Sequence, residues 1–188
     1  DVEIDGIRLG DVWDQTLIID GKSYPSFQEI EKIVTSVHIK PVILVLAHGD
    51  GHPNNIIVTP HGKWRVIDTE YVANNLWKEP LIRYLFWWRS DATLNLEQPY
   101  LSISNGLNIH YRCGLPPECF EIEKEGLAVA SRMASFAGDS NWQQQFKVLM
   151  AVYFWRRMMY QPRYGRQEYL IPLLGEGIKS LFGDVVKI

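Results

Sequence analysis

The stretch Leu46-Ala47-His48-Gly49-Asp50-Gly51-His52-Pro53-Asn54-Asn55-Ile56-Ile57 limits the fold more than any other part of the sequence. It joins two apolar runs through a loop that holds two histidines, one aspartate and two asparagines. Gly49, Gly51 and Pro53 exclude a helix through it, so the loop needs a fixed, irregular backbone. Polar side chains held that way between apolar runs are costly unless they have partners or a task. Upstream, Val42-Ile43-Leu44-Val45-Leu46 is expected to be a buried strand or a buried extended segment. Downstream, Ile56–Thr59, a turn at Pro60–Lys63 and Trp64–Ile67 read as a hairpin, with Asp68 immediately after its second strand. A tight hairpin brings its two ends together, so Asn55 and Asp68 are expected to be neighbours. An asparagine carbonyl beside one carboxylate, with a second at Asp50, is a hard-oxygen set suited to Mg²⁺.

Composition narrows the setting. The chain has 188 residues, 46% hydrophobic and 22% charged, enough for one domain or for one large lobe of a two-lobed protein. Intrinsic disorder and collagen-like repeats are excluded, and the apolar runs are too short to span a bilayer, so no membrane partner is expected. Residues 1–70 hold 11 acids and 6 bases, within a net charge of −3 for the chain. No basic stripe with interleaved aromatics is present, so no nucleic-acid partner is expected. Cys113 and Cys119 form no CxxC pair and are expected to be free thiols in a reducing cytoplasm. The chain opens Asp1-Val2-Glu3 without a signal peptide or an initiator Met, which fits an excised piece of a longer protein.

The remaining pattern is α+β and mostly helical. Asp20-Gly21 centres a hairpin between Thr16–Ile19 and Lys22–Tyr24. Ser26 and Glu29 form a capping box ahead of a helix ended by Pro41. Helices are expected over Leu76–Arg89, Glu118–Ala137, Ser140–Gln161 and Gln167–Phe182, with 94–117 irregular. The aromatic face of Trp142–Phe154 reads as core, with a cage for a quaternary cation as the sharper alternative. Glu118, Glu121, Glu123 and Glu125 read as a solvated helix start, and His61 as an exposed turn residue.

His48-x-Asp50-x-x-x-x-Asn55 has the order and spacing of the protein-kinase catalytic loop, and Asp68 takes the place of the metal-binding aspartate. The text His-Gly-Asp-x-His-Pro-x-Asn-Ile, followed by Ile-Asp-x-Glu-Tyr, resembles the aminoglycoside phosphotransferase and choline kinase superfamily. The match covers residues 46–71. The resemblance implies a kinase-like large lobe over 1–188, with small β-hairpins carrying the catalytic loop and the metal-binding aspartate. It implies that Asp50 orients, and at need deprotonates, an acceptor hydroxyl of a small molecule. It also implies that Asn55 and Asp68 hold Mg²⁺ against the phosphates of ATP or GTP, and that His48 and His52 support the loop. Glu70 is left between a contact to metal or substrate and a solvated turn.

This sequence departs from that pattern in several places. Gly51 stands where Leu is usual and Thr69 where an aromatic is favoured, and Arg83 falls in a segment where the family often has an aspartate. No glycine-rich phosphate loop with a following strand lysine precedes residue 42, and Gly175-Glu176-Gly177 is no substitute. The small nucleotide-binding lobe is therefore expected to be missing from this chain, which would leave it inactive alone and prone to self-association. The acidic first third slightly favours a cationic acceptor. Two other readings stand beside this one: a zinc pair at His48 and His52, which lacks the helix it needs, and a catalytically silent binding or scaffolding domain.

Overall fold

The computed structural model describes residues 2–39, 43–92, 99–112, 116–164 and 166–183. Pro41, Cys113 and part of the Val42–Leu46 run lie outside them.

Local chemistry sets the first elements. Strands β1 (Glu3–Ile4) and β2 (Ile7–Arg8) turn at Asp5-Gly6, and β3 (Leu17–Ile19) and β4 (Lys22–Tyr24) turn at Asp20-Gly21. All four turn residues have positive φ, the geometry that Asp-Gly supplies at little cost. Helix α1 (Phe27–Ser36) starts at the expected capping box: the Glu29 amide donates to Ser26 Oγ, and the Ser26 amide donates to the Glu29 carboxylate. Such a cap is worth about 1 kcal/mol.

Strands β5 (Leu44–Ala47), β6 (Ile56–Val58), β7 (Trp64–Val66) and β8 (Ala73–Leu76) follow, then helix α2 (Lys78–Ala92). The segment around 94–117, expected to be irregular, contains β9 (Tyr100–Ile103) and β10 (Leu107–His110), joined at Asn105-Gly106. Strand β10 lies parallel to β3, Leu17 facing Leu107 and Ile19 facing Ile109, which makes a four-stranded sheet in the order β4-β3-β10-β9. This pairing joins segments some ninety positions apart, so no local signal announces it.

Helices α3 (Pro117–Ala137), α4 (Trp142–Tyr160) and α5 (Leu170–Leu181) complete the body. Helix α4 packs on α5 and on α2, which also meets α3. The core centres on Ile82, Leu85, Phe146, Met150, Phe154 and Ile178, all fully buried. The Trp142–Phe154 face thus contributes to the core as expected. Tight seating explains Gly126, where a Cβ would stand 2.7 Å from Leu85 Cδ2. No described helix is long and apolar enough to cross a membrane.

Buried charges tie the layers together. Arg89 of α2 pairs with Glu123 of α3 and, at 3.0 Å, with Glu176 of α5. Glu176 also accepts from the Tyr111 hydroxyl at 3.0 Å and meets Lys179 at 3.2 Å. Glu123 is therefore not part of a solvated helix start, because α2 covers it and supplies its cation. The Gly175-Glu176-Gly177 run is helix interior, its glycines leaving room for the rings of Tyr111 and Trp155. Lys78 and Trp77 both donate to buried Asp139.

The run before the loop of residues 48–55 also departs from expectation. Leu44 and Leu46 are 58% and 75% exposed, so β5 is not a buried strand. Its only strand partner among the described residues is β8, and the two form an isolated ribbon with one apolar face uncovered.

Candidate functional site

Two ribbons are nested, one inside the other. Strands β5 and β8 pair antiparallel with Ala47 opposite Ala73, which closes the base of the excursion 48–72. Within it β6 and β7 pair with Ile56 opposite Val66. The Ile67 amide then donates to the Asn55 carbonyl at 2.9 Å, so Asn55 and the residue before Asp68 share one hydrogen bond. His48 Nε2 lies 2.7 Å from the Ile67 carbonyl, which can only accept, so His48 donates through Nε2. The loop 48–55 and the segment 67–72 are thus held together at both ends, and Asn55 and Asp68 flank the same end of the inner hairpin.

Backbone geometry within the loop is specific. Gly49 has φ +80°, and a Cβ there would stand 2.0 Å from the Tyr71 carbonyl oxygen, so the site admits only glycine. Asp50 receives two donors on its backbone carbonyl: the His52 amide and Asn55 Nδ2, each at 3.0 Å. Asn55 is 6% exposed, and its Nδ2 also reaches the Asp50 carboxylate at 3.5 Å. With the amide nitrogen spent on the loop, Asn55 Oδ1 is the atom left to accept a ligand. His52 Nε2 approaches the Asp50 carboxylate at 3.4 Å, and its ring stacks on Trp87 of α2. His48 and His52 are thus fixed by different partners, and neither has the helical i, i+4 placement of a zinc pair.

Asp68 has φ +59°, a left-handed conformation uncommon for a residue with a side chain. Asp5 and Asp20 take the same conformation in their turns, and aspartate enters it more readily than most residues. Asp68 and Glu70 are exposed on a short turn, Thr69–Tyr71. Glu70 accepts a hydrogen bond from the Tyr71 phenol; that bond and the Glu70 charge raise Tyr71 above its ordinary value. Partial desolvation and the charges of Asp68 and Asp50 push the same way, so three carboxylates act on one phenol.

The donor set fits Mg²⁺. One amide oxygen and one exposed carboxylate are hard ligands, and Mg²⁺ takes one or two protein groups while keeping waters and phosphates. Among the described residues no group of three or more His, Cys, Asp or Glu side chains is placed to hold a metal.

Sequence reasoning noted Arg83 only as a departure from the family pattern and missed the arginines that share a cleft with it and Asp50. A cleft of about 680 Å³ is lined by Gly49, Asp50 and Tyr71, by Arg83 of α2, by Arg156 and Arg157 of α4, and by Tyr160 and Tyr164. Arg83 lies over the Tyr153 ring at 5.4 Å and Arg157 over Trp87 at 6.0 Å. One ring of the face considered for a ligand cage, Tyr153, is thus already covered by a cation of the protein itself. Burial raises the Tyr153 phenol above its ordinary value and Glu79 adds to this, while Arg83 and Arg156 oppose it. The available signal was Arg156-Arg157 on an otherwise aromatic helix face, one turn before the chain leaves α4.

No protein-family model, no curated protein and no solved structure matches this chain. The functional reading therefore rests on the residues and their geometry.

Proposed function

We propose that this chain is the large lobe of a kinase-like phosphotransferase, supplying the acceptor and metal half of an Mg²⁺-dependent transfer. The γ-phosphoryl group of ATP or GTP moves to a hydroxyl of a small molecule. The observation that carries the reading is the double closure around 48–72, which gathers Asp50, Asn55 and a left-handed Asp68 at one end of nested ribbons.

Asp50 lines the cleft, and its carboxylate can hold an acceptor O–H and receive its proton. The acceptor oxygen forms the new bond to phosphorus, the bond from phosphorus to the bridging oxygen breaks, and that electron pair leaves on the nucleoside diphosphate. Asn55 Oδ1 and the Asp68 carboxylate would hold Mg²⁺, which supplies charge neutralisation on the transferring phosphates. His48 and His52 keep the loop in register, and Glu70 holds Tyr71. A loose transition state asks for positioning and charge more than covalent chemistry, and this set is the minimum for both.

Phosphates also need a covering loop and a lysine, which the 188 residues do not offer in the kinase pattern. The chain alone should turn over little, and its exposed apolar ribbons, including Leu46 and Trp64, favour self-association. In a parent protein that carries the covering part, Asp50→Asn should lower turnover at least ~100-fold with the unfolding midpoint unchanged. Unaltered turnover would refute the role. The second reading, a silent binding or scaffolding domain, draws on Arg83 and the missing phosphate loop. It predicts no Mg²⁺-dependent transfer from labelled ATP or GTP under any arrangement.

A further inference from the structure

The cleft beside Asp50 carries more positive charge than the chain around it. Three guanidiniums, from Arg83, Arg156 and Arg157, line a wall whose one lining carboxylate is Asp50. Among the described residues none of the three has a carboxylate within ion-pairing distance. Two are steadied by aromatic faces, a contact that orients a guanidinium while leaving N–H edges to bond an anion. They come from two helices and converge on one space, which surface arginines on a single helix face would not do. An uncompensated arginine cluster in a cleft is favourable when an anion completes it.

We infer that the acceptor carries a phosphate monoester in addition to the hydroxyl that is phosphorylated, and that Arg83, Arg156 and Arg157 bind that phosphate. The inference rests on the phosphotransfer reading for the word acceptor, and on the cleft itself for the anion. Three arginines and one aspartate leave a formal surplus of two positive charges, which a phosphate monoester at neutral pH balances and a single carboxylate does not. The volume suits a molecule of sugar-phosphate size. Tyr71, Tyr160 and Tyr164 add hydroxyls and ring faces for a polyhydroxylated body. The preference for a cationic acceptor, drawn from the acids of residues 1–70, is set aside: of those acids Asp50 alone lines this cleft, against three arginines. Asn55 and Asp68 do not line it either, so the arginines sit on the acceptor side and not with the nucleotide phosphates.

The test uses the whole chain and reads binding, so it needs no turnover. Intrinsic tryptophan fluorescence and calorimetry would follow glycerol 3-phosphate, inorganic phosphate, glycerate, glycerol and choline, and Mn²⁺ binding would be measured separately. Glycerol 3-phosphate and phosphate should bind, glycerate should bind at least ~5-fold more weakly, and glycerol and choline should not bind. Arg83→Gln and Arg157→Gln should each weaken glycerol 3-phosphate at least ~10-fold, with unfolding midpoints near that of the unaltered chain. Lys147→Gln, outside the cleft, should change nothing and controls for net charge. Choline binding, or arginine variants that bind as before, would overturn the inference. Simple competition between ATP and glycerol 3-phosphate would overturn it too, by giving the arginines to the nucleotide. Mn²⁺ binding that depends on Asp68, with no anion bound, removes the inference and leaves the phosphotransfer reading. Anion binding without an Asp68-dependent metal keeps the arginine site and removes the phosphotransfer reading.

Discussion

His52 lies flat on Trp87, their ring centroids 4.4 Å apart and their planes 20° from parallel. This one contact fixes the loop of residues 48–55 to helix α2. Because Arg157 also sits over Trp87, it links Asp50 to the arginine wall through a layer of aromatic rings. Asp50 Oδ2 is approached by Asn55 Nδ2 at 3.5 Å and by His52 Nε2 at 3.4 Å, and Asp50 lines the cleft.

His52→Phe should preserve this stack and His52→Ala should remove it. Denaturant unfolding should show the phenylalanine variant close to the parent and the alanine variant less stable by about 1 kcal/mol. Equal losses in both would mean that the contact to Asp50, and not the ring, supports the loop.

Gly49 and Gly51 provide a paired comparison. Gly49→Ala must find room against the Tyr71 carbonyl at a positive φ, whereas a Cβ at Gly51 meets nothing within 4 Å. Gly49→Ala should cost roughly 1–3 kcal/mol and shift the amide signals of 48–52 and 69–72. Gly51→Ala should stay within about 0.5 kcal/mol of the parent.

The buried Arg89 network is a stability element remote from the cleft. Arg89→Met takes the Arg89 cation from Glu123 and leaves Glu176 with Lys179 and Tyr111, and should cost about 3 kcal/mol by chemical denaturation. A near-neutral result would show that Glu123 does not need the Arg89 cation for stability.

Alkaline pH should weaken the fold through Lys179. Burial alone would lower this lysine, but Glu176 and Asp20 outweigh it and hold it above its ordinary 10.5. A raised folded value contributes stability that is fully present below the unfolded pKa and is lost as pH rises through the folded one. The loss should therefore begin above pH 10.5. Tyr153 and Cys119, both raised first by burial, add to the same limb. Lys179→Gln isolates the lysine share: the variant should be less stable at neutral pH and lose less on going alkaline.

Much of the site was legible because its parts are local. Asp20-Gly21, the Ser26–Glu29 cap and the hairpin between Asn55 and Asp68 are each set by a few neighbouring residues, and each forms as read. What escaped depends on distant pairing. Ala73-Asn74-Asn75-Leu76 has no strand-like alternation, and becomes β8 because β5 lies beside it. Strands β9 and β10 need β3 to complete their sheet. Glu123 reads as one of a run of solvated acids until α2 is packed against it, and the arginine wall exists only once α2 and α4 meet.

The central claim, that Asn55 and Asp68 form the metal half of a phosphoryl-transfer site, is tested most directly by Mn²⁺ as a paramagnetic substitute for Mg²⁺. With nucleotide present and Mn²⁺ well below stoichiometry, the amide signals of Asn55, Ile67 and Asp68 should broaden first. Asp68→Asn, an exposed substitution, should require at least ~10-fold more Mn²⁺ for the same effect. Broadening centred elsewhere in the chain, or unchanged in Asp68→Asn, would contradict the account.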